Sequence, residues 1–189
     1  MQIITQAEAK IKKDDIFSMI LRGKIFIHPT DTIYGIGCNA KNSEAIKKIR
    51  ELKERPDSPF SVMAPSIDWI KENCVVTKEA EEWLKKLPGP YTLILKTKAD
   101  AVAPEVAPGK DSIGVRIPLH WFAKLVQELD VPIITTSVNK VDQEFMTSTE
   151  DLDHDIKVGV DFAIYEGEKQ GRPSKIVHLE GEETKIRER

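Results

Sequence analysis

Hydrophobic periods of helical and strand type alternate along this chain from one end to the other. That alternation constrains the fold more than any other feature, because it demands helices packed on a twisted sheet. Ile11, Ile16, Met19 and Ile20 mark an apolar stripe on a first helix that ends near Gly23, a residue suited to a C-terminal cap. Residues 25–27 then read as a short buried strand stopping at His28-Pro29. A second helix is predicted over residues 42–55, with Asn42 or Ser43 as its N-cap and Pro56 as its terminator. Strand-like runs follow at 60–64, 91–96, 112–118, 131–137, 162–165 and 175–179, with helices at 77–87 and 119–129. The last two strands lack a crossover helix between them, so the sheet should be mixed. An Ala/Pro-rich loop at 99–111 and a polar stretch at 140–157, with a short helix near 148–152, read as surface connections. The expectation is an α/β fold in one domain over residues 1–189, with its core from about residue 8 and no further C-terminal domain.

Charge and cysteine usage remove several function classes. Twenty-eight Lys and Arg against 31 Asp and Glu give a formal net charge of −3. Non-specific coating of nucleic acid needs many uncompensated cations, although a local basic cleft remains open to such a chain. Cys38 and Cys74 have neither framework spacing nor a CxxC pattern, as expected of a cytoplasmic protein. The N-terminal residues are too polar for a signal peptide, and no apolar run approaches the roughly 18 residues of a membrane span.

Familiar phosphate and metal signatures are missing. Neither Gly23-Lys24 nor Gly109-Lys110 completes a P-loop, and Gly35-Ile36-Gly37 lacks the third glycine of a dinucleotide fingerprint. The four histidines, 28, 120, 154 and 178, have no metal-ligand spacing. Asp151, Asp153, His154 and Asp155 read as a solvated acidic loop, since no Gly or Glu sits at calcium-loop offsets.

Three other segments point to a polar cleft. At about 100° per residue, Ala45, Ile46, Ile49 and Leu52 share one helix face, and Lys53 falls between Ile46 and Ile49 on it. The helix end either lets Lys53 snorkel beside the dipole or delivers Lys53 and Arg55 into a cleft. On the strand at 131–137, a period of two puts Ile133, Thr135, Ser137 and Asn139 on one face, which turns from apolar to polar toward the carboxyl end. Ligands of open α/β sheets bind outside that end. The run Ile27-His-Pro-Thr-Asp-Thr-Ile-Tyr-Gly-Ile-Gly37 takes a strand into hydroxyls and glycines, suited either to a tight turn or to close approach of backbone to a ligand. On the strand from 112, Ser112, Gly114 and Arg116 share a side, with Gly114 leaving room between the other two.

These segments, in this order, resemble the YrdC/YciO family of threonylcarbamoyl-AMP synthases. The resemblance rests on Pro29-Thr-Asp-Thr-Ile-Tyr-Gly-Ile-Gly37, Lys53-Glu-Arg-Pro56, Pro88-Gly-Pro-Tyr-Thr92, Val115-Arg-Ile-Pro118, Ser137-Val-Asn139 and Pro173-Ser-Lys-Ile-Val177. It implies a single YrdC-like domain, a twisted mixed sheet flanked by helices with a large concave, positively lined cleft. It also implies synthesis of threonylcarbamoyl-AMP from L-threonine, bicarbonate and ATP, with pyrophosphate released. A partner transferase would then modify an adenosine of tRNA, which this chain meets indirectly. By the resemblance, Lys53 and Arg55 are catalytic and bind ATP together with Ser58, Ser112, Ser137, Asn139 and Arg187. Thr30, Arg116, Thr135 and Ser174 would hold threonine, and Mg2+ would be held by the ATP phosphates rather than by protein ligands. Some family features are replaced: Ser58 and Met63 stand where many members have a run ending in His, Lys140-Val-Asp142 replaces a Ser-Gly pair, and Lys175 replaces Thr. The Pro-Phe-x-x-Met run resembles the YciO branch and implies an alternative, a non-catalytic RNA-binding protein assisting tRNA or ribosome maturation.

Overall fold

The computed structural model describes residues 1–98, 100–181 and 183–188. Ala99, where the predicted loop at 99–111 begins, and Arg189, the last residue of the expected domain, lie outside them. Among the described residues, ten strands form one mixed sheet in the order β1-β8-β2-β3-β7-β4-β6-β5-β9-β10. They are β1 (Gln2–Thr5), β2 (Phe26–His28), β3 (Gly35–Gly37), β4 (Ser61–Met63), β5 (Tyr91–Lys96), β6 (Ser112–Arg116), β7 (Ile133–Ser137), β8 (Phe162–Tyr165), β9 (Lys175–His178) and β10 (Lys185–Arg187). Pairing is parallel for β1–β8, β2–β8, β4–β6 and β5–β9, and antiparallel elsewhere. The sheet is mixed as expected, although β8 and β9, whose missing crossover suggested it, are not neighbours in it.

Helices cover both faces. α3 (Ser43–Leu52), α4 (Ile67–Asn73) and α5 (Lys78–Leu84) pack over one face, with Ile46, Ile49, Ile70 and Leu84 in a single apolar cluster. α1 (Gln6–Ile11), α2 (Lys13–Leu21) and α6 (Trp121–Leu129) cover the other, around Ile16, Ile20, Phe122 and Val126. Each such buried aliphatic contributes about 1.5–3 kcal/mol relative to exposure. Caps set several starts: Asn42 accepts from Ala45 N at 3.0 Å, Ser66 from Trp69 N at 3.0 Å, and Thr77 from Ala80 N at 3.2 Å.

Several predicted boundaries move. The first helix is two, broken at Lys12, and Ile11 is 82% exposed rather than part of the buried stripe. α3 ends at Leu52, and Lys53 caps it. Glu54, at φ 52°, turns the chain before Pro56 is reached. The helix expected near 148–152 is instead a set of bends, because the Asp151 carboxylate accepts from Thr147 N and Ser148 N. A helix follows at α7 (His154–Gly159), with Asp153 as its N-cap.

Candidate active site

The cleft lies on the α6 face of the sheet, where that face passes beyond helix cover. On β7, Ile133 packs with Met63 and Phe122, whereas Thr135 and Ser137 line the cleft. β4 repeats the switch. Met63 of β4 lies opposite Ile133, and Ser61 opposite Thr135. On β6, Arg116 faces Met63 in register and Gly114 faces Ser61. The change from apolar to polar read along β7 thus recurs on β4, whereas β6 presents Arg116 and Gly114 to the same face. Gly114 keeps the floor low: a Cβ there would stand 2.5 Å from Ser61 Oγ.

Thr30, Arg116, Thr135 and Ser174 are all buried and all line this cleft. Arg116 Nη2 donates to Asp31 Oδ1 at 2.6 Å, and the other Asp31 oxygen accepts from Leu119 N at 2.9 Å. Both terminal guanidinium nitrogens of Arg116 also lie 3.4 Å from Thr32 Oγ1. The acid-paired arginine is 5% exposed, so it is no surface ion pair. Thr30 Oγ1 donates to Ile33 O at 2.7 Å, and Ser174 Oγ sits 2.7 Å from Thr92 Oγ1. Ser61, Thr92 and Tyr34 line the same cleft and were not singled out by sequence. Alternation along β4 and β5 gives no signal for the first two, whose polar neighbours are Thr135 across the ladder and Ser174 on another strand's approach. Tyr34 donates to Gly167 O at 2.6 Å and accepts from Glu166 N at 3.1 Å, fixing the chain that leads to Ser174. Burial pushes its hydroxyl up to about 12.

A second recess continues from the first, sharing Arg55 and Ser137 and adding Lys53, Ser58 and Asn139. Lys53 is 2% exposed, so its place on the apolar helix face leads inward rather than to solvent. Its Nζ donates to Ser137 O at 2.5 Å, Asn139 O at 2.6 Å and Asn139 Oδ1 at 3.2 Å. Val141 N donates to Lys53 O at 3.3 Å, joining the same two segments through backbone. Ser137 Oγ donates to Asn139 Oδ1 at 2.6 Å, and Asn139 Nδ2 to Gln143 O at 2.8 Å. Burial pulls the Lys53 ammonium down to about 7, with the Arg55 charge adding to the shift. Arg55 donates to Pro59 O at 3.1 Å and lies 5.5 Å from the centre of the Phe60 ring.

Not every sequence candidate converges. Ser112 is half-buried on β6 and Arg187 is exposed on β10 opposite Ile176, and neither is among the described residues lining the two recesses. Met63 is buried beneath α6, and Ser61 is the β4 side chain that faces the cleft. His28 stacks on Phe122 at 5.1 Å, and burial holds it neutral with its value lowered to about 3. Lys140 is held by Glu54 at 3.2 Å and Asp155 at 2.5 Å, and Lys175 by Glu188 at 2.7 Å. Asp142 is the one carboxylate among the described residues lining either recess. Hydroxyls, two arginines and two lysines, one of them the acid-paired Lys140, suit oxyanions, and a divalent ion would fit there as part of a phosphate complex. Among the described residues no helix is long and apolar enough to cross a membrane.

Comparison with known proteins agrees with this geometry. The family model for Sua5/YciO/YrdC, described as telomere recombination, matches residues 18–189. A putative threonylcarbamoyl-AMP synthase of Methanocaldococcus jannaschii is 35% identical over 181 residues, covering 94% of this chain and 84% of that protein. The threonylcarbamoyl-AMP synthase of Bacillus subtilis is 35% identical over 157 residues, covering 81% of this chain and 43% of its own length. Among solved structures, Pyrococcus abyssi Sua5 complexed with L-threonine superposes with a TM-score of 0.87 at 28% identity, over 98% of this chain and 56% of that one. Escherichia coli YciO has the same fold, with a TM-score of 0.86 at 21% identity over 99% of this chain and 93% of that one. The chain thus spans about half the length of the Bacillus and Pyrococcus proteins. With most of its length matched and its cleft built from the motifs quoted above, this chain belongs to the Sua5/YciO/YrdC family.

Proposed function

We propose that this protein is an L-threonylcarbamoyladenylate synthase acting on L-threonine, bicarbonate and ATP, and that its product serves threonylcarbamoyl transfer to tRNA by a partner transferase. The observation that carries this reading is the meeting of two unlike recesses. One holds Arg116 among buried hydroxyls, and the other brings Lys53 and Arg55 from the end of α3 to Ser137 and Asn139. The relatives named as threonylcarbamoyl-AMP synthases, and the Sua5 complex with L-threonine, support it.

The chemistry asks the protein to position groups and neutralise charge. The threonine amine and bicarbonate condense to a carbamate, releasing water. A carbamate oxygen then attacks the α-phosphorus of ATP, the new O–P bond forms as the bridge to the β-phosphate breaks, and pyrophosphate leaves. Arg116, oriented by Asp31, would grip the threonine carboxylate as a fork. Thr30, Thr135 and Ser174 would hold the amine and the side-chain hydroxyl. Lys53 and Arg55 would lie against the carbamate and the triphosphate, with Ser58, Ser137 and Asn139 on phosphate oxygens. Magnesium carried on the phosphates supplies further charge neutralisation. Ser112 and Arg187 stay outside this assignment, because they line neither recess.

Pyrophosphate release tests the reading. It should require ATP, threonine and bicarbonate together and stop when either threonine or bicarbonate is omitted. Release that ignores threonine would mark a different adenylating reaction or plain ATP hydrolysis.

A further inference from the structure

One buried cation lies outside both recesses and outside every motif quoted above. Arg50, in the last turn of α3, is 7% exposed, and its guanidinium donates to main-chain carbonyls from two separate segments. Nη1 donates to Arg55 O at 2.9 Å and to Ser58 O at 3.1 Å. Nε and Nη2 donate to Glu105 O at 3.0 and 2.7 Å, and Nη2 also to Val106 O at 3.3 Å. Its Cζ lies 4.3 Å from the centre of the Phe60 ring, and Phe60 N itself donates to Val106 O at 2.8 Å. A backbone bond from Arg55 N to Arg50 O, 2.9 Å, closes the same turn.

We propose that Arg50 is a positioning residue, fixing the loop after α3 so that Arg55 and Ser58 face the nucleotide side of the cleft. Arg50 draws the carbonyls of residues 55 and 58 inward, while the side chains of those residues line the second recess. The short helix at Pro104–Val106 serves as the anchor, tying a neighbouring loop to the floor of this one. The site needs that brace because Glu54 reverses the chain at φ 52°, and residues 54–59 contain no regular strand or helix. Arginine suits the task for a geometric reason. Its fork offers five donors in one plane, enough for four carbonyls on opposite sides, whereas a lysine ammonium has three donors at one point. Arg50 sits at i+4 from Ile46 and three residues before Lys53, so the helix face that buries Lys53 also buries Arg50.

This inference rests on the synthase reading for its meaning, and its test separates the two. Wild type, Arg50→Lys and Arg50→Met are compared by calorimetric binding of ATP with magnesium and of L-threonine, with thermal denaturation and amide exchange of residues 54–60 alongside. Arg50→Met should weaken ATP binding at least tenfold, leave threonine binding within twofold and speed exchange at 54–60. Arg50→Lys should fall between. A general loss of structure would weaken both ligands together, and that result would overturn the positioning role, as would unchanged ATP affinity in both variants. A wild type that binds ATP but makes no adenylate would contradict the synthase reading and leave the Arg50 comparison intact. A wild type that binds no ATP would overturn both.

Discussion

Lys53 carries the sharpest claims at the scale of single residues. It is both a candidate for the transition state and a tie between α3 and the end of β7 through two main-chain carbonyls. Lys53→Ala should lower the rate of adenylate formation ~100-fold, about 3 kcal/mol of transition-state stabilisation. The carbonyls it leaves behind should cost about 1–3 kcal/mol of stability, visible in urea unfolding. A folded variant that works at the wild-type rate would remove Lys53 from the chemistry. Its titration gives a second test. The folded value near 7 lies below the unfolded value of about 10.4, so the unfolded chain binds more protons between those limits. Folding stability should therefore rise with pH across that window through this group. Phosphate binding needs the charged form, so kcat/KM for ATP should fall as pH rises through about 7, and Lys53→Met should flatten that limb. A level wild-type profile from pH 6 to 9 would contradict the assignment. For Arg116, replacement by Lys should weaken threonine binding ~10-fold, because an ammonium cannot fork a carboxylate and also hold Asp31. Unchanged threonine affinity would rule out the fork. The shared face of Thr135 and Ser137 was legible in the sequence because strand alternation fixes it, whereas helix periodicity put Lys53 on the apolar face and left open whether it snorkels or enters a cleft. Arg50 and Tyr34 were not legible, since each reaches carbonyls remote in sequence, at 105–106 for Arg50 and at 167 for Tyr34.

Elements were legible where apolar periodicity is strong. The runs at 91–96 and 162–165 match β5 and β8 end to end, and α6 starts two residues after its predicted beginning. The missed strands show why others were not. All three residues of β10 are exposed, β1 buries Ile4 alone, and β3 is glycine at two of its three positions. Such strands exist because a neighbour's backbone pairs with them, which periodicity does not record. α4 was legible in principle, with Ser66 as its N-cap before Trp69 and Ile70. β3 also yields a prediction, because a Cβ on Gly37 would stand 2.3 Å from Ile134 O, a backbone atom of β7. Gly37→Ala should push β3 away from β7, which carries Thr135 and Ser137. The cost should be about 1–3 kcal/mol of stability, measured by urea unfolding. A variant as stable as wild type would show that the two strands are not held that closely.

At the scale of the whole molecule, the order of the sheet was beyond reach of sequence periods. β8 inserts between β1 and β2, and β7 between β3 and β4, so the pairs that build the cleft are separated by dozens of residues. Sheet order supplies the adjacency of Arg116, Thr135, Ser137 and Ser61, which no motif records. Net charge bears on partners at the same scale. With a formal charge of −3, bare tRNA should bind weakly, with a shallow salt dependence, and the residual binding should fade as ATP occupies the recess beside Lys53 and Arg55. Tight tRNA binding at physiological salt that saturating ATP leaves unchanged would favour the RNA-binding alternative. The central claim is that one cleft joins threonine, bicarbonate and ATP. Its most direct measurement is the fate of labelled bicarbonate incubated with the protein, L-threonine, ATP and magnesium, followed by chromatography. The account predicts a labelled adenylate that forms only when threonine is present and forms ~100-fold more slowly in Lys53→Ala. Label that never reaches an adenylate, with protein shown to bind both ATP and threonine, would contradict it.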